Sequence, residues 1–305
     1  MAVLSPSLDG VVSKWLVEKG TWDVHVLAAM SHVVMRSRPC ERDDVVLDVG
    51  ANLGFFGLLA WQANCHVVAF EMQPLMHKAI RTSLCLARRS TVASAGEEKE
   101  RHFNLVAFPV HEIPWMKVGY RPPRLGHSSN IGGVGLAVVP CEPGASDGCH
   151  EMRTVRVDTS VDKFAHGKTV AIAKVDVEGH EFRALLSMYS LFEAERVDNV
   201  LFELNPRVQG LETAAATLHY VRSFGFRLYL LPFTYPDASL AWPSIDLEPI
   251  FDVDKFVLDV DDGRVDRQER FVDILATRQP EKLGFPSDAS LPATIPAGPA
   301  LTARS

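Results

Sequence analysis

The sequence has few cations, no C-x-x-C pair, and no run of about 18 consecutive apolar residues of the kind that spans a membrane. Of its 305 residues, 31 are Lys or Arg and 38 are Asp or Glu, so the formal net charge is −7. This negative balance argues against binding to a nucleic-acid backbone, whose affinity comes from many cationic contacts. We therefore expect neither a nucleic-acid partner nor a membrane partner.

The five cysteines also lack the even number and regular spacing of a disulfide framework. Cys141, Cys149 and His150 lie close together in the chain, but a zinc site needs further ligands at suitable spacing. The first twenty residues contain neither the basic segment nor the apolar segment of a secretory signal. The sequence thus predicts reduced thiols and a cytoplasmic location.

Composition and periodicity predict an α/β protein. Hydrophobic residues make up 47% and charged residues 23% of the chain, as in ordinary globular proteins. Strands are predicted at 45–49, 67–70, 105–108, 170–176, 199–203, 226–231, 255–260 and 271–276, and helices at 11–19, 24–35, 57–61, 76–87, 182–189 and 214–223. This alternation favours a mostly parallel sheet with helices on both faces.

Proline, glycine and changes of periodicity divide the chain. Residues 1–40 are predicted to form an N-terminal helical cap, and residues 41–278 to form one main domain. The Pro- and Gly-rich stretch 109–153 is predicted to be an irregular insertion and a candidate lid. Pro, Ala and Ser dominate 279–305 without periodicity, which indicates a disordered tail.

The turn after the first predicted strand reads Asp48-Val49-Gly50-Ala51-Asn52-Leu53-Gly54. Its glycines let the backbone pass close to a ligand, and the following helix start offers free N–H groups. The spacing differs from the G-x-G-x-x-G dinucleotide fingerprint. Glu71, at the end of the next strand, stands where an acid accepts the ribose hydroxyls in nucleotide-binding folds. Together they predict an adenosine-containing ligand.

Ionisable side chains follow the next two buried strands. The two-residue strand period puts Lys174, Asp176 and Glu178 on one side, and Glu203 and Asn205 end the neighbouring strand. Such groups are costly to bury unless they pair or act on a substrate. A Lys174 ion pair is one interpretation and a functional site is the other. Glu181 is equally compatible with a structural role at a helix start.

A magnesium site is an alternative at the same place. The oxygens of Asp176, Glu203 and Asn205 are suitable ligands for Mg²⁺. Carboxylates and amides also share crevices without metal, so the sequence favours a site with no metal.

These motifs, taken in order, resemble the FkbM-type S-adenosylmethionine-dependent methyltransferases. The resemblance lies in Val46–Gly54, in Val68–Glu71 with Pro74, in the Lys174–Glu181 block K-V-D-V-E-G-H-E, and in Phe202-Glu203. It implies a Rossmann-like class I methyltransferase fold, with a mostly parallel seven-stranded sheet and helices on both faces. It also implies S-adenosylmethionine as the methyl donor and a hydroxyl oxygen as the usual acceptor. The stretch 109–153 then becomes a candidate acceptor lid, with little that matches the family beyond Asn130 and Gly132-Gly133.

The resemblance assigns roles to individual positions. The donor-binding residues would be Asp48, Gly50, Ala51, Asn52, Gly54, Glu71 and Ala107. The methionine end would lie along 50–54, the ribose at Glu71, and the adenine near Val106 and Ala107.

Three residues are candidates for the base that takes the acceptor's proton: Asp176, Glu178 and His180. Lys174, Glu203 and Asn205 would line the acceptor site. The acceptor is expected to be a small molecule or a glycan. Two other functions stay open, an NAD-dependent oxidoreductase and a non-catalytic nucleoside-binding relative.

Overall fold

The computed structural model describes residues 1–6, 9–37, 40, 44–91, 102–121, 141, 148–231, 247–265 and 271–283. The strands are β1 Asp44–Val49, β2 His66–Phe70, β3 Phe103–Val106, β4 Lys117–Tyr120, β5 His150–Arg153, β6 Thr169–Val175, β7 Asn199–Leu204, β8 Arg227–Leu231, β9 Glu248–Pro249 and β10 Val272–Thr277. The helices are α1 Val12–Lys19, α2 Val24–Ser31, α3 Phe55–Gln62, α4 Pro74–Thr91, α5 Val157–Ala165, α6 Glu181–Leu186, α7 Tyr189–Glu193, α8 Pro206–Gln209, α9 Leu211–Ser223 and α10 Val253–Asp261.

Eight of the ten described strands form one sheet in the order β3-β2-β1-β6-β7-β10-β8-β9, and β4 and β5 form a separate two-stranded sheet. The five strands from β3 to β7 are parallel, whereas β10 runs antiparallel to both of its neighbours, β7 and β8. The prediction of an α/β fold with a mostly parallel sheet is confirmed, since β8 also runs in the direction of these five strands, but the sheet is mixed and has eight strands instead of the predicted seven. The chain enters β10 from the opposite end of the sheet, and the two-residue β9 adds an eighth strand at the edge.

Apolar residues on both faces of the sheet explain why helices cover both. In β1, Val45, Leu47 and Val49 pack into one core cluster and Val46 into another, as the two-residue period of a strand requires. The first cluster also receives the buried faces of α9 and α10, and the second receives those of α2 and α3. Both faces of the central strands are therefore buried.

Residues 255–260 form most of α10, so the prediction of a strand there was wrong. Asp252 caps this helix by accepting a hydrogen bond from the Lys255 N–H at 3.0 Å. Val253, Val257 and Val260 are buried on one helical face. An N-cap with apolar spacings of four and three residues overrides the β propensity of valine.

The insertion and the tail also differ from their predictions. Within 109–153, β4 and β5 pair in antiparallel fashion, so the ends of this stretch are regular; residues 122–140 and 142–147, with Asn130 and Gly132-Gly133, lie outside the described residues. Pro280–Leu283 forms a 3₁₀ turn, and its Leu283 carbonyl lies 3.1 Å from Nε2 of His32. Residues 280–283 are thus regular where the sequence predicts a disordered tail, and 284–305 lies outside the described residues.

Two helices stand where an N-terminal cap was predicted. α1 agrees with the predicted 11–19, and α2 continues into a π-helical segment, His32–Ser37. Among the described residues, no helix combines the length and the apolar character needed to cross a bilayer.

The prediction of reduced thiols was wrong for four of the five cysteines. Cys40 pairs with Cys65, Cys141 pairs with Cys149, and Cys85 is free and exposed. The first bridge joins the segment after α2 to the start of β2 across 25 residues. Neither pair has a spacing that identifies it in the sequence, because the fold brings the partners together. The cysteines therefore no longer support a cytoplasmic assignment.

Candidate functional site

The turn after β1 is bonded to the ends of two neighbouring strands. The N–H groups of Gly50 and Ala51 both donate to the Phe70 carbonyl at 2.9 Å, and the Asp176 N–H donates to the Val49 carbonyl at 3.0 Å. The carboxyl ends of β1, β2 and β6 thus meet at one edge, where parallel sheets bind ligands.

Gly50 makes this close approach possible. Its φ is +82°, and a Cβ built there would lie 1.7 Å from the Asp176 carbonyl oxygen. Gly54, with φ +78°, stands just before α3, where a Cβ would lie 2.8 Å from Ile80 Cγ1. A side chain at Gly50 would push the turn away from the end of β6.

Two concave regions open at this edge. The first, which we call the turn cleft, is lined by Gly50, Asn52, Phe70, Glu71, Met72, Gln73, Phe108, Pro109, Val110, Asp176, Val177, Glu178 and His180. The second, which we call the cap cavity, is lined by Val11, Val12, Trp15, Trp22, Asp23, Val24, His25, Val26, Asn52, Lys174, Val175, Asp176, Glu178, Leu201, Phe202, Glu203, Asn205, Phe271 and Asp273. Both regions are lined by Asn52, Asp176 and Glu178, so they meet at these three residues.

Glu71 is held firmly in the wall of the turn cleft. Its carboxylate accepts hydrogen bonds from the Asn52 N–H at 2.8 Å and the Gln73 N–H at 2.7 Å. Burial raises the pKa of Glu71 to about 7, although these backbone hydrogen bonds oppose the shift. The position is the one predicted to hold a ribose, and the carboxylate is fixed before any ligand arrives.

Asn52 carries a buried polar atom that lacks a partner among the described residues. Its Oδ1 is buried without a hydrogen bond, and its φ is +50°. A buried acceptor left without a donor is unfavourable, so a ligand that donates a hydrogen bond would be stabilised here. An amine or hydroxyl group of a ligand bound along the glycine turn would supply this hydrogen bond.

The other four predicted donor-binding residues, which are Asp48, Ala51, Gly54 and Ala107, do not line the turn cleft. Asp48 is fully buried and accepts from the Gly57 N–H at 2.8 Å, and burial raises its pKa despite the nearby Lys174. Ala51 is buried in the core. Ala107 follows β3, but the wall there is formed by residues 108–110. These positions support the turn instead of facing the cleft.

Lys174 and Asp176 form an ion pair at the floor of the cap cavity. Lys174 Nζ lies 2.9 Å from Asp176 Oδ2 and 5.1 Å from the centroid of the Phe56 ring. Burial opposes the charge on Lys174, but Asp176 and Asp48 outweigh it and raise the lysine pKa. Lys174 is therefore held in its charged form between Asp176 and Asp48.

Glu178 is placed differently from Asp176. It has φ +55°, and its carboxylate makes no hydrogen bond with any described residue. Burial, together with the charges of Asp176 and Glu181, raises the pKa of Glu178 to about 7. It is thus an available proton acceptor near neutral pH, at the junction of the two regions.

Glu181 and His180 have more limited access. The Glu181 carboxylate accepts hydrogen bonds from the N–H groups of Val177 and Gly179, each at 3.0 Å, and contacts the Gln209 side-chain amide. It therefore has the structural role that the sequence left open. His180 precedes α6 and lines the turn cleft but not the cap cavity.

Glu203 and Asn205 both line the cap cavity, as their strand positions predict. Burial and the nearby charges of Asp176 and Asp273 raise the pKa of Glu203 to about 10. The Asn205 side chain accepts from the Val208 N–H at 3.3 Å and caps α8.

Sequence reasoning missed much of the cap cavity. Trp15 and Trp22 meet edge to face with ring centroids 6.5 Å apart. Asp23, His25 and Asp273 form a polar cluster beside them. The grouping of tryptophans with ionisable residues in 15–25 is a sequence feature that could have indicated a binding site. No sequence feature near Asp273 indicates that β10 returns to this edge of the sheet.

Comparison with known proteins identifies the family. The model of the methyltransferase FkbM domain matches residues 48–228, which is more than half of the chain. No curated protein sequence matches this chain.

Several solved methyltransferases are similar in outline. Precorrin-6y C5,15-methyltransferase from Geobacter metallireducens GS-15 is 11% identical with a TM-score of 0.38, covering 88% of this chain and 93% of its own. The methyltransferase domain of METTL16 is 8% identical with a TM-score of 0.43, covering 88% and 71%. Geranyl diphosphate methyltransferase, in complex with GPP and sinefungin, is 13% identical with a TM-score of 0.35, covering 83% and 78%. These scores are low, so the assignment depends on the family match.

Proposed function

Because this chain belongs to the FkbM methyltransferase family, we propose that it transfers a methyl group from S-adenosylmethionine to a hydroxyl oxygen of a small polyol or glycan. The observation that carries the proposal is the junction of the turn cleft and the cap cavity at Asn52, Asp176 and Glu178. A donor in one and an acceptor in the other would meet there. Positioning two reactants in this way is a large part of catalysis.

The turn cleft suits the donor. Glu71 would hold the ribose hydroxyls, the backbone at Gly50 leaves room for the methionine end, and Asn52 Oδ1 offers an acceptor to the donor's amine. Phe108 to Val110 would contact the adenine. When bound, the donor supplies an electrophilic methyl group on a sulfonium, which is already a good leaving group.

The cap cavity suits an acceptor that is rich in hydroxyl groups. Its wall combines indole rings, from Trp15 and Trp22, with carboxyl groups such as Asp23 and Glu203. Aromatic faces pack against the C–H surface of a sugar, and carboxyl oxygens accept hydrogen bonds from its hydroxyls. A nucleic-acid acceptor is disfavoured because Lys174 is the one lysine or arginine in the described wall, and it is bound to Asp176.

Glu178 is the base that the geometry favours. It contacts both regions, it is free of hydrogen bonds to described residues, and its pKa of about 7 suits proton transfer near neutral pH. Asp176 would instead orient Lys174 and the acceptor. His180 faces the donor side.

Calorimetry and methyl transfer test the proposal together. We expect S-adenosylhomocysteine to bind the purified chain with one-to-one stoichiometry and NAD not to bind. Radiolabelled methyl from S-adenosylmethionine should then enter a panel of sugars and polyols. Binding of NAD alone would overturn the proposal in favour of an oxidoreductase. Donor binding without transfer to any fraction of small molecules, glycans or proteins would indicate a non-catalytic relative.

A further inference from the structure

Three side chains from opposite ends of the chain converge in the cap cavity. His25 Nε2 lies 2.6 Å from Asp273 Oδ2, and His25 Nδ1 lies 3.2 Å from Asp23 Oδ1. One ligand atom from each of the three can be chosen so that all lie within 4.8 Å of one another. Among the residues that the structure describes, no other group of three His, Cys, Asp or Glu side chains does so.

These side chains are largely buried yet open to the cavity. The exposed fractions are 9% for His25, 20% for Asp23 and 12% for Asp273. All three line the cap cavity. A cation held here would keep its remaining coordination positions directed at whatever the cavity binds.

The conformation of Asp23 favours this cluster over a role in the helix. Asp23 is the N-cap residue of α2, but its side chain makes no capping hydrogen bond and its φ is +48°. Aspartate at this position normally accepts from the helix N–H groups, as Asp252 does for α10. The carboxylate of Asp23 is turned to His25 instead, and it is available as a ligand.

The wall of the cap cavity carries more carboxyl groups than cationic groups. The described wall of the cap cavity carries the carboxyl groups of Asp23, Asp176, Glu178, Glu203 and Asp273. Its cationic groups are Lys174, which is bound to Asp176, and His25 if protonated. A divalent ion at the cluster would offset this excess of carboxyl groups.

We propose that Asp23, His25 and Asp273 bind one divalent transition-metal ion of the Mn²⁺, Co²⁺ or Zn²⁺ class. An imidazole with two carboxylates suits these ions better than Mg²⁺ or Ca²⁺, which prefer oxygen ligands alone. Three protein ligands leave open positions, as in catalytic metal sites. In the proposed methyl transfer the ion would hold a hydroxyl oxygen of the acceptor, and this role, unlike the binding itself, rests on the proposed function.

Metal titration of the full chain tests the site without the donor. The purified protein is treated with a chelator and dialysed, and then titrated with Co²⁺ or Mn²⁺ alone, with calorimetry and the visible absorption of Co²⁺ as readouts. We expect one ion per chain. Asp23→Asn keeps the size of the side chain and tolerates a positive φ, and we expect it to weaken binding at least ten-fold, as His25→Ala should.

The control is His219→Ala, because His219 Nε2 lies 3.2 Å from Asp254 Oδ1 in an exposed pair outside the cavity. It should bind the metal like the unaltered chain. Absence of stoichiometric binding by the unaltered chain, or equal loss in His219→Ala and Asp23→Asn, would overturn the proposal. Calorimetry with S-adenosylhomocysteine separates the two proposals. A chain that binds the metal but not S-adenosylhomocysteine would support the metal site and overturn the proposed function. A chain that binds S-adenosylhomocysteine but not the metal would overturn the metal site.

Discussion

The turn cleft and the cap cavity share three residues but are built in opposite ways. Residues 50 to 180 supply the whole described wall of the turn cleft, and they lie at or after the ends of β1, β2, β3 and β6. The cap cavity takes its wall from α1, α2, the ends of β6 and β7, and the start of β10. Its chemistry lies in side chains that are distant in the chain, such as His25 and Asp273, which are 248 residues apart.

This difference means that substitutions should act differently in the two regions. A turn that presents backbone to a ligand depends on glycine conformation and strand pairing, so few substitutions preserve it. A wall made of side chains can change its ligand by single substitutions that leave the sheet intact. Variants in the two regions should therefore fail in different measurements.

Gly50→Ala should have the largest effect, because a Cβ there would overlap the Asp176 carbonyl oxygen. We expect the free energy of unfolding to fall by about 3 kcal/mol or more and binding of S-adenosylhomocysteine to be lost. Chemical denaturation and calorimetry measure these effects. Gly225→Ala is the matched control, since Gly225 has φ +83° with nothing within 4 Å of a Cβ; a similar loss there would show that φ alone, and not the close approach, is responsible.

Glu178→Gln should lower methyl transfer by about 10²–10⁴-fold while S-adenosylhomocysteine still binds. In the unaltered protein the rate should rise with pH through about 7, because only the ionised carboxylate accepts a proton and burial holds its pKa there. The variant should lose this rise. Glu212→Gln, at an exposed position in α9, should change neither property. A Glu178→Gln enzyme with full activity would return the assignment to Asp176 or His180.

Removing the Cys40–Cys65 bridge should lower the free energy of unfolding by about 3 kcal/mol, the value that a loop of this length gives in the chain-entropy model. Cys40→Ser with Cys65→Ala is the variant, and thermal and chemical denaturation are the measurements. The bridge fixes the cap segment to the start of β2, so acceptor turnover should suffer more than donor binding. Cys85→Ser, at the free exposed cysteine, should leave stability unchanged; equal donor and acceptor losses would contradict the separation of the two regions.

Trp22→Ala should have the smallest effect, raising KM for the acceptor about ten-fold with donor affinity unchanged. It removes an aromatic face from the cap cavity, a loss of about 1–2 kcal/mol of packing. Steady-state kinetics with a substrate from the sugar panel measures it. Trp115→Ala, at a tryptophan that is 66% exposed and outside both regions, is the control. A change in donor affinity in Trp22→Ala would mean that the indole acts on the turn cleft.

The sequence predicted the turn cleft far better than the cap cavity. Gly50 and Glu71 could be found because a strand, a turn and a second strand follow one another within 30 residues of chain. Asp273 could not be assigned, because its place depends on β10 entering the sheet antiparallel between β7 and β8. The helix at 253–261 was mistaken for a strand because its valines favour either structure and its Asp252 cap was overlooked. The disulfides were missed because pairing depends on distance in the folded chain.

The position of Asp273 after all residues of the turn cleft determines which of the two regions can be completed first during synthesis. A ribosome releases every residue of the turn cleft before the strand that carries Asp273 has been synthesised. Asp273, the partner of His25, is synthesised 248 residues after it. The nascent chain can thus complete the wall of the turn cleft before the cap cavity has the part of its wall that β10 supplies.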